Sequence, residues 1–147
     1  MQIKLRDMQS NINLSLRFLD SLETQLKQTQ STMKTLEKVP DKDLMKALDD
    51  YIKQLDTLED RLSSRNEGLG FGGRSQVADD IGNLFFSLDT NFGPTPGQKQ
   101  YFAEIQPVYR TRVEEVNKFL RETLPAWNEK LRAWNAPTLT TRKPFDF

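Results

Sequence analysis

Cysteine and histidine are both absent from this chain of 147 residues. Without cysteine it forms no disulfide and offers no thiolate to zinc and no thiol nucleophile. Without histidine it lacks the side chain that proteins use most often as a general base and as a metal ligand. Carboxylates and lysines remain, but no motif arranges them for chemistry. The sequence therefore predicts a protein that is not an enzyme, with no catalytic residue, no cofactor and no metal site.

Net charge and long apolar runs are missing as well. Lys plus Arg and Asp plus Glu each number 21, so the formal net charge is zero. Proteins that neutralise phosphates usually carry a basic excess, so we expect no nucleic-acid partner. No apolar run approaches the roughly 20 residues that cross a bilayer, and no apolar segment of a secretory signal follows Met1. The sequence predicts no membrane span, and read as complete it predicts a cytoplasmic protein.

What the chain does contain is a heptad pattern of apolar residues. One stretch alternates steps of three and four residues through Leu5, Met8, Ile12, Ser15, Leu19, Leu22, Leu26, Thr29, Met33 and Leu36. A second continues through Leu44, Leu48, Tyr51, Leu55, Leu58 and Leu62. This spacing places the side chains of each stretch on one stripe of a helix. Because a break at Val39 and Pro40 separates the stretches, we expect an antiparallel hairpin over residues 5–64, with Asp41 as N-cap of its second helix.

A glycine-rich segment at residues 66–74 follows the first hairpin and is expected to be a flexible linker. Gly68, Gly70 and Gly73 match the spacing of the dinucleotide-binding fingerprint, G-x-G-x-x-G. That fingerprint needs a preceding strand and a parallel βαβ unit. Here a heptad helix precedes the glycines and no strand is expected, so the sequence favours a linker over a cofactor site.

The second half of the chain predicts another hairpin over residues 75–135. Its first helix begins after Ser75 and ends near Asn91, with an apolar face of Val77, Ile81, Leu84, Phe85 and Leu88. Its second helix has the strongest start signal in the chain: Thr95 as N-cap, Pro96 at the first helical position and Gln98 to complete a capping box. The helical face then runs through Phe102, Ile105, Tyr109, Val113, Val116, Leu120, Leu124, Trp127, Leu131 and Trp134.

Two prolines interrupt this long helix. Pro107 and Pro125 each remove a backbone donor, so we expect a kink or a restart at each. Together the two hairpins predict an all-α fold: a single domain over residues 1–135, built as an up-and-down antiparallel four-helix bundle. Residues 136–147 form an irregular tail whose Leu139, Phe145 and Phe147 either dock on the bundle or belong to a trimmed contact.

Aromatic residues are numerous for a helical bundle, with nine Phe, two Trp and three Tyr. They fit two interpretations. They fill the core, or they form a docking surface, since Trp, Tyr and Phe are enriched at protein interfaces. The candidate surface consists of Phe71, Phe86, Phe92, Trp127, Trp134, Phe145 and Phe147.

The order of these elements, together with three short segments, resembles the C-terminal helical region of bacterial BNR-repeat, sortilin-like proteins. The segments are GPTPGQ at 93–98, LPAWNEKL at 124–131 and APTL at 136–139. In the second segment Leu124, Pro125, Ala126, Asn128 and Leu131 match the family's pattern. Proteins of this family are large secreted β-propellers, often labelled glycosyl hydrolases or sialidase-like. No propeller repeat and no catalytic residue of the family is present in this chain.

The resemblance implies a non-catalytic accessory domain that packs on, or spaces, an extracytoplasmic β-propeller of the same or a partner chain, in the periplasm or outside the cell. An alternative is a free-standing, coiled-coil-like protein that forms homodimers through its heptad seams. A third reading is a glycoside hydrolase-associated activity located outside this segment.

Overall fold

The computed structural model describes residues 1–35, 42–63, 76–88 and 93–146. In these ranges the chain is all-α and contains no strand, as predicted. The helices are α1 (Gln2–Thr35), α2 (Lys42–Leu62), α3 (Val77–Ser87), α4 (Pro96–Lys118) and α5 (Leu124–Ala133), and a π-helical turn (Phe119–Thr123) joins the last two. The predicted break at Val39 and Pro40, the cap at Asp41, the linker at 66–74 and the cap at Ser75 lie outside the described residues.

The heptad stripes form the core. Along α1 the apolar residues of the stripe are buried from Leu5 to Leu26, and Ser15 is buried among them. The Ser15 hydroxyl donates to the backbone oxygen of Asn11 at 2.8 Å, so this polar residue is satisfied within its own helix. The stripe of α2 is buried at Leu44, Leu48, Tyr51, Leu55 and Leu62.

Polar contacts define how the helices lie along one another. On α1, Gln30 reaches Asp49 of α2 at 2.7 Å, and the earlier Glu23 meets the later Asp56, so the two helices run antiparallel. α3 lies nearer the N-terminal end of α1, where Gly82 approaches the Gln9 side chain. α2 and α3 therefore pack beside successive segments of α1.

The third long element is the rod formed by α4, the π-turn and α5. Tyr101 donates to Asp80 of α3 at 3.1 Å, and Glu115 pairs with Arg61 of α2 at 3.1 Å. Further along, Trp127 stacks on the ring of Tyr51. Since the rod meets α3 first and α2 later, it passes both and runs parallel to α1.

The start of α4 confirms the predicted capping box. The Thr95 hydroxyl accepts from the backbone N–H of Gln98 at 3.1 Å, and the Gln98 side chain accepts from the N–H of Thr95 at 2.9 Å. Pro96 stands in the first turn, where its missing donor costs nothing.

The two interior prolines behave differently. α4 continues through Pro107 to Lys118 without interruption. Ahead of Pro125 the helix widens instead, and the N–H of Leu124 bonds to the carbonyl of Phe119 five residues back. A π-turn of this kind lets the helix continue although Pro125 has no backbone N–H to donate. The helical pattern is thus interrupted at Pro125, whereas it does not restart at Pro107.

α3 is shorter than expected. It ends at Ser87, where the N–H of Leu88 bonds to the carbonyl of Phe85, rather than near Asn91. Its N-cap is Gln76, whose backbone N–H donates to the carboxylate of Asp79 at 3.0 Å. The acidic residue in the first turn supplies this capping contact.

Candidate functional site

The segment that follows α5 has no helix, yet it is docked on the bundle. Leu139 and Phe145 are only 5% and 6% exposed and belong to the core. The residues between them, 140–144, are exposed. We refer to residues 136–146 as the tail. The sequence left open whether the tail docks on the bundle or belongs to a trimmed contact, and in the structure it is docked on the bundle.

A buried asparagine of α5 holds the first anchor of the tail. The Asn128 side chain accepts from the backbone N–H of Leu139 at 2.7 Å and donates to its carbonyl at 3.1 Å. Asn128 points inward because it is one turn from Leu124 and Leu131 on the buried face of the helix. One side-chain amide thereby satisfies both backbone groups of a residue that has no helical partner.

A second asparagine repeats this arrangement about three turns earlier on the same rod. Asn117 accepts from the N–H of Phe145 at 2.6 Å and donates to its carbonyl at 2.8 Å, and it is itself buried. We call Asn117 and Asn128 the amide clamps. Both clamps contact backbone only, so they recognise an extended chain rather than a particular side chain.

Two residues of α1 hold the tail from the other side. The Gln25 side chain exchanges hydrogen bonds with Thr140, accepting from its N–H at 3.2 Å and donating to its hydroxyl at 3.1 Å. Asn11 donates to the carbonyl of Asp146 at 2.9 Å. The tail therefore lies in a groove between α1 and the rod and runs antiparallel to both.

One tail side chain makes a specific electrostatic contact. The guanidinium of Arg142 lies 3.7 Å from the centre of the Phe145 ring and 5.9 Å from that of Phe18 on α1. A cation over an aromatic face contributes about 0.5–1 kcal/mol at an exposed site. Beneath this end, Tyr109 receives a hydrogen bond from Asn11 at 2.9 Å, and burial is the main cause that raises the pKa of its hydroxyl.

The tail does not fill the groove. A cavity of about 760 Å³ remains around residues 142–146, with Lys4, Asp7 and Arg110 on its walls. Another of about 590 Å³ lies beside residues 134–139, bordered by Met33 and Leu44. The groove thus has space for more polypeptide than it holds.

A separate group of carboxylates lies in the seam between α1 and α2. Oxygens of Asp20, Glu23 and Glu59 lie within 4.8 Å of one another, the separation expected of ligands to one cation. However, Glu23 already pairs with Lys27 at 3.3 Å and forms a hydrogen bond with Asp56. Burial, followed by that hydrogen bond and by the charge of Asp56, raises the pKa of Glu23. Lys27 and Asp56 therefore provide partners for Glu23 within the protein, and we assign no metal to this group.

Of the aromatic residues predicted to form one docking surface, the four that the structure describes do not lie on a common exposed face. Trp127 is 5% exposed and Phe145 is anchored in the groove, so the structure corrects the placement of both: they are interior residues. Phe86 is 84% exposed, while Trp134 is half-buried. These two lie near opposite ends of the rod, on the order of 50 Å apart at 1.5 Å per residue, since Gln98 contacts Ser87 next to Phe86. Phe71, Phe92 and Phe147 lie outside the described residues.

The amide clamps were missed by reasoning from the sequence, although a signal for them exists. Asn117 follows Val113 by four residues and Asn128 follows Leu124 by four, so both fall on the inward stripe of the helix. A buried amide needs partners, and a downstream segment with two apolar anchors supplies them.

No protein-family model, curated protein or experimentally determined structure matches this chain significantly. None of the described helices combines the length and the apolar character needed to cross a bilayer.

Proposed function

We propose that this chain is a non-catalytic helical interaction domain, and that its partner is a β-propeller domain of the same or another chain. The observation that carries the proposal is the uneven distribution of exposed apolar side chains. The large exposed ones among the described residues are Ile3, Leu14, Phe86 and Val108.

All four belong to the same half of the bundle. Gly82 of α3 lies beside Gln9, and Asn11 bonds to Tyr109, so the first turns of α1, all of α3 and the first half of α4 share one level. We call this half the α3 end. No large hydrophobic residue of α2 or α5 is exposed in the described part of the chain.

Phe86 is the most exposed of the four. The other apolar side of α3, at Val77, Ile81 and Leu84, is turned into the core. Phe86 makes an edge-to-face contact with Phe85, with ring centres 6.0 Å apart, which restricts its orientation. Burying an exposed Phe against a partner contributes about 1.5–3 kcal/mol, or roughly 10- to 100-fold in affinity.

The absence of cysteine makes this proposal easy to test. Asn83→Cys, an exposed position one helical turn before Phe86, introduces a unique thiol that takes an environment-sensitive fluorophore, and Glu129→Cys gives a matched exposed site on α5. We expect a saturable emission change at position 83, and none at 129, when a purified sortilin-like β-propeller domain is added. Unlabelled Phe86→Ala should bind about tenfold or more weakly. Equal responses at the two positions, or none at 83, would contradict the proposal.

The resemblance suggests the propeller, and with it an extracytoplasmic location and a hydrolase activity, if any, that resides outside this segment. The alternative of a homodimer joined through the heptad seams has less support, because Leu5, Ile12, Leu19 and Leu22 are fully buried within one copy of the chain. A seam already filled by its own chain predicts a monomer in light scattering. A concentration-dependent dimer that Leu19→Ala weakens would favour the alternative.

A further inference from the structure

We propose that the groove between α1 and the rod is a binding site for an extended peptide segment of a partner protein, and that the tail occupies this site in competition with it. The ligand class is a peptide with an aliphatic residue, an aromatic residue six positions later, and an acidic residue directly after the aromatic one. This pattern is that of Leu139, Phe145 and Asp146. The inference does not depend on docking through the α3 end.

Backbone contacts position the chain in the groove, while burial of the two anchor side chains supplies much of its affinity. The amide clamps contact the N–H and C=O of Leu139 and Phe145, and Asn11 contacts the carbonyl of Asp146. Backbone groups are common to all sequences, so an external segment in the same register makes the same bonds. Recognition of an extended chain through its backbone, with pockets for a few anchors, is a general mode of peptide binding.

The spacing of the clamps sets the register. Asn117 and Asn128 are separated by about 16 Å along the rod at 1.5 Å per residue. Six residues of extended chain span at most about 20 Å. The clamps therefore hold two residues about six positions apart only when the segment between them is nearly extended, which excludes a helical ligand.

Side-chain selectivity comes mainly from the anchors and from one end. Between the anchors the tail residues are exposed, and their side-chain contacts with α1, of Thr140 with Gln25 and of Arg142 with Phe18, lie at the surface. The cavity at the Phe145 end has Lys4 and Arg110 on its helical walls against the single carboxylate of Asp7. This basic excess favours the acidic residue in the ligand pattern, and the unfilled volume accommodates a ligand that continues past the position of Asp146.

The tail is a built-in competitor. It leaves α5 through a turn at Trp134 and Asn135, and Asn135 has a positive φ of 55°. A segment linked through so short a connection is present at an effective concentration of millimolar or more. A partner peptide must displace the tail. Its apparent affinity therefore equals its affinity for the open groove multiplied by the fraction of molecules whose groove is open. We expect the unmodified chain to bind free peptide about 10- to 100-fold more weakly than a chain whose tail has been released.

The test uses the chain of residues 1–147 and a fluorescein-labelled peptide with the sequence of residues 136–147. Leu139→Ser combined with Phe145→Ser removes both anchors and releases the tail while leaving the groove intact. Fluorescence anisotropy should show that this variant binds the peptide at least tenfold more tightly than the unmodified chain. A peptide carrying serine at both anchor positions is the matched control and should not bind.

Adding Asn117→Ala and Asn128→Ala to the released variant should abolish peptide binding, provided that circular dichroism shows the helices retained. If these additional changes unfold the chain, hydrogen exchange on the unmodified protein decides instead. An excess of unlabelled peptide should then accelerate exchange at the amides of Leu139 and Phe145, while amides in α2 keep their protection. A helical released variant that binds the peptide no better than the control, or tail amides that remain protected in excess peptide, would overturn the proposal.

Discussion

Replacing Trp127 by alanine is expected to be the most damaging single aromatic substitution. Its indole ring stacks on Tyr51 with ring centres 4.1 Å apart and an interplanar angle of 16°. It also meets Phe119 edge to face at 5.1 Å, next to the π-turn. The ring therefore joins α2 to the rod at the point where the rod changes its helical pitch.

The size of the effect follows from these contacts. Truncating a buried Trp to Ala costs about 3–5 kcal/mol through lost transfer energy and the cavity left behind. Loss of the aromatic pairs adds about 0.5–1.5 kcal/mol. We expect Trp127→Ala to lower the free energy of unfolding by about 4–6 kcal/mol, a large share of the roughly 5–15 kcal/mol available to a domain.

Urea unfolding followed by circular dichroism at 222 nm measures this change, and the other tryptophan provides the control. Trp134 is half-buried, so Trp134→Ala should cost only about 1 kcal/mol. Equal losses for the two variants would refute the reasoning, because they would show that the stacked position of Trp127 carries no special weight.

A companion variant separates the ring of Tyr51 from its hydroxyl. That hydroxyl is buried and has no hydrogen-bond partner among the described residues. Tyr51→Phe keeps the stack and removes a polar group that is costly to bury, so the free energy of unfolding should stay the same or rise by up to about 1 kcal/mol. A marked loss in the same urea assay would indicate that the hydroxyl has a partner of its own.

Three further predictions concern other parts of the chain. Asn128→Ala leaves the N–H and C=O of Leu139 without partners, which should weaken tail docking by about 2–4 kcal/mol. Hydrogen exchange at the amide of Leu139 should become faster while α2 stays folded, and an unchanged exchange rate at Leu139 would contradict this. Thr95→Ala removes the cap of α4 and should cost about 1 kcal/mol, seen as a lower thermal midpoint, and an unchanged midpoint would argue against the capping box. The raised pKa of Glu23 means that the native state holds this proton more tightly than the unfolded state, so the free energy of unfolding should fall as pH rises from 4.5 through the raised value. Urea midpoints at pH 4 and pH 7 measure this fall. Glu23→Gln should make it smaller, whereas Glu129→Gln, at an exposed position, should leave it unchanged.

The long helices were predictable from the sequence because burial on a helix has a period. Leu5, Ile12, Leu19 and Leu26 are separated by whole heptads, and each is buried on the same stripe of α1. The capping box at Thr95 was predictable for a similar reason, since its residues act over three positions of the chain.

The position of Trp127 shows which of two sequence signals decides burial. Its place on the helical stripe with Leu124 and Leu131 predicted an inward ring, whereas the richness in aromatics suggested a surface. The stripe prevailed because the orientation of a helix fixes all its inward positions together. Aromatic composition carries no direction, so it gave the wrong location for Trp127.

The docked tail was left open by the sequence for a different reason. Contacts such as Asn117 with Phe145 join residues 28 positions apart and follow no period. They arise when a polar residue on an inward stripe meets whatever backbone lies opposite, and that depends on how three helices pack. The helical stripe places the two asparagines inward, but the segment they bind, and with it the candidate groove, is a product of tertiary packing.

The return of the tail along α1 brings distant parts of the chain to one pole of the molecule. Asp146 is bonded to Asn11 and shares a cavity wall with Lys4. A domain whose last described residues return to the first turns of its first helix is suited to insertion into a loop of a larger host chain. Circular permutation that joins the tail to the start of α1 through a short linker, and reopens the chain between α5 and the tail, would transfer the attachment of the tail from α5 to α1.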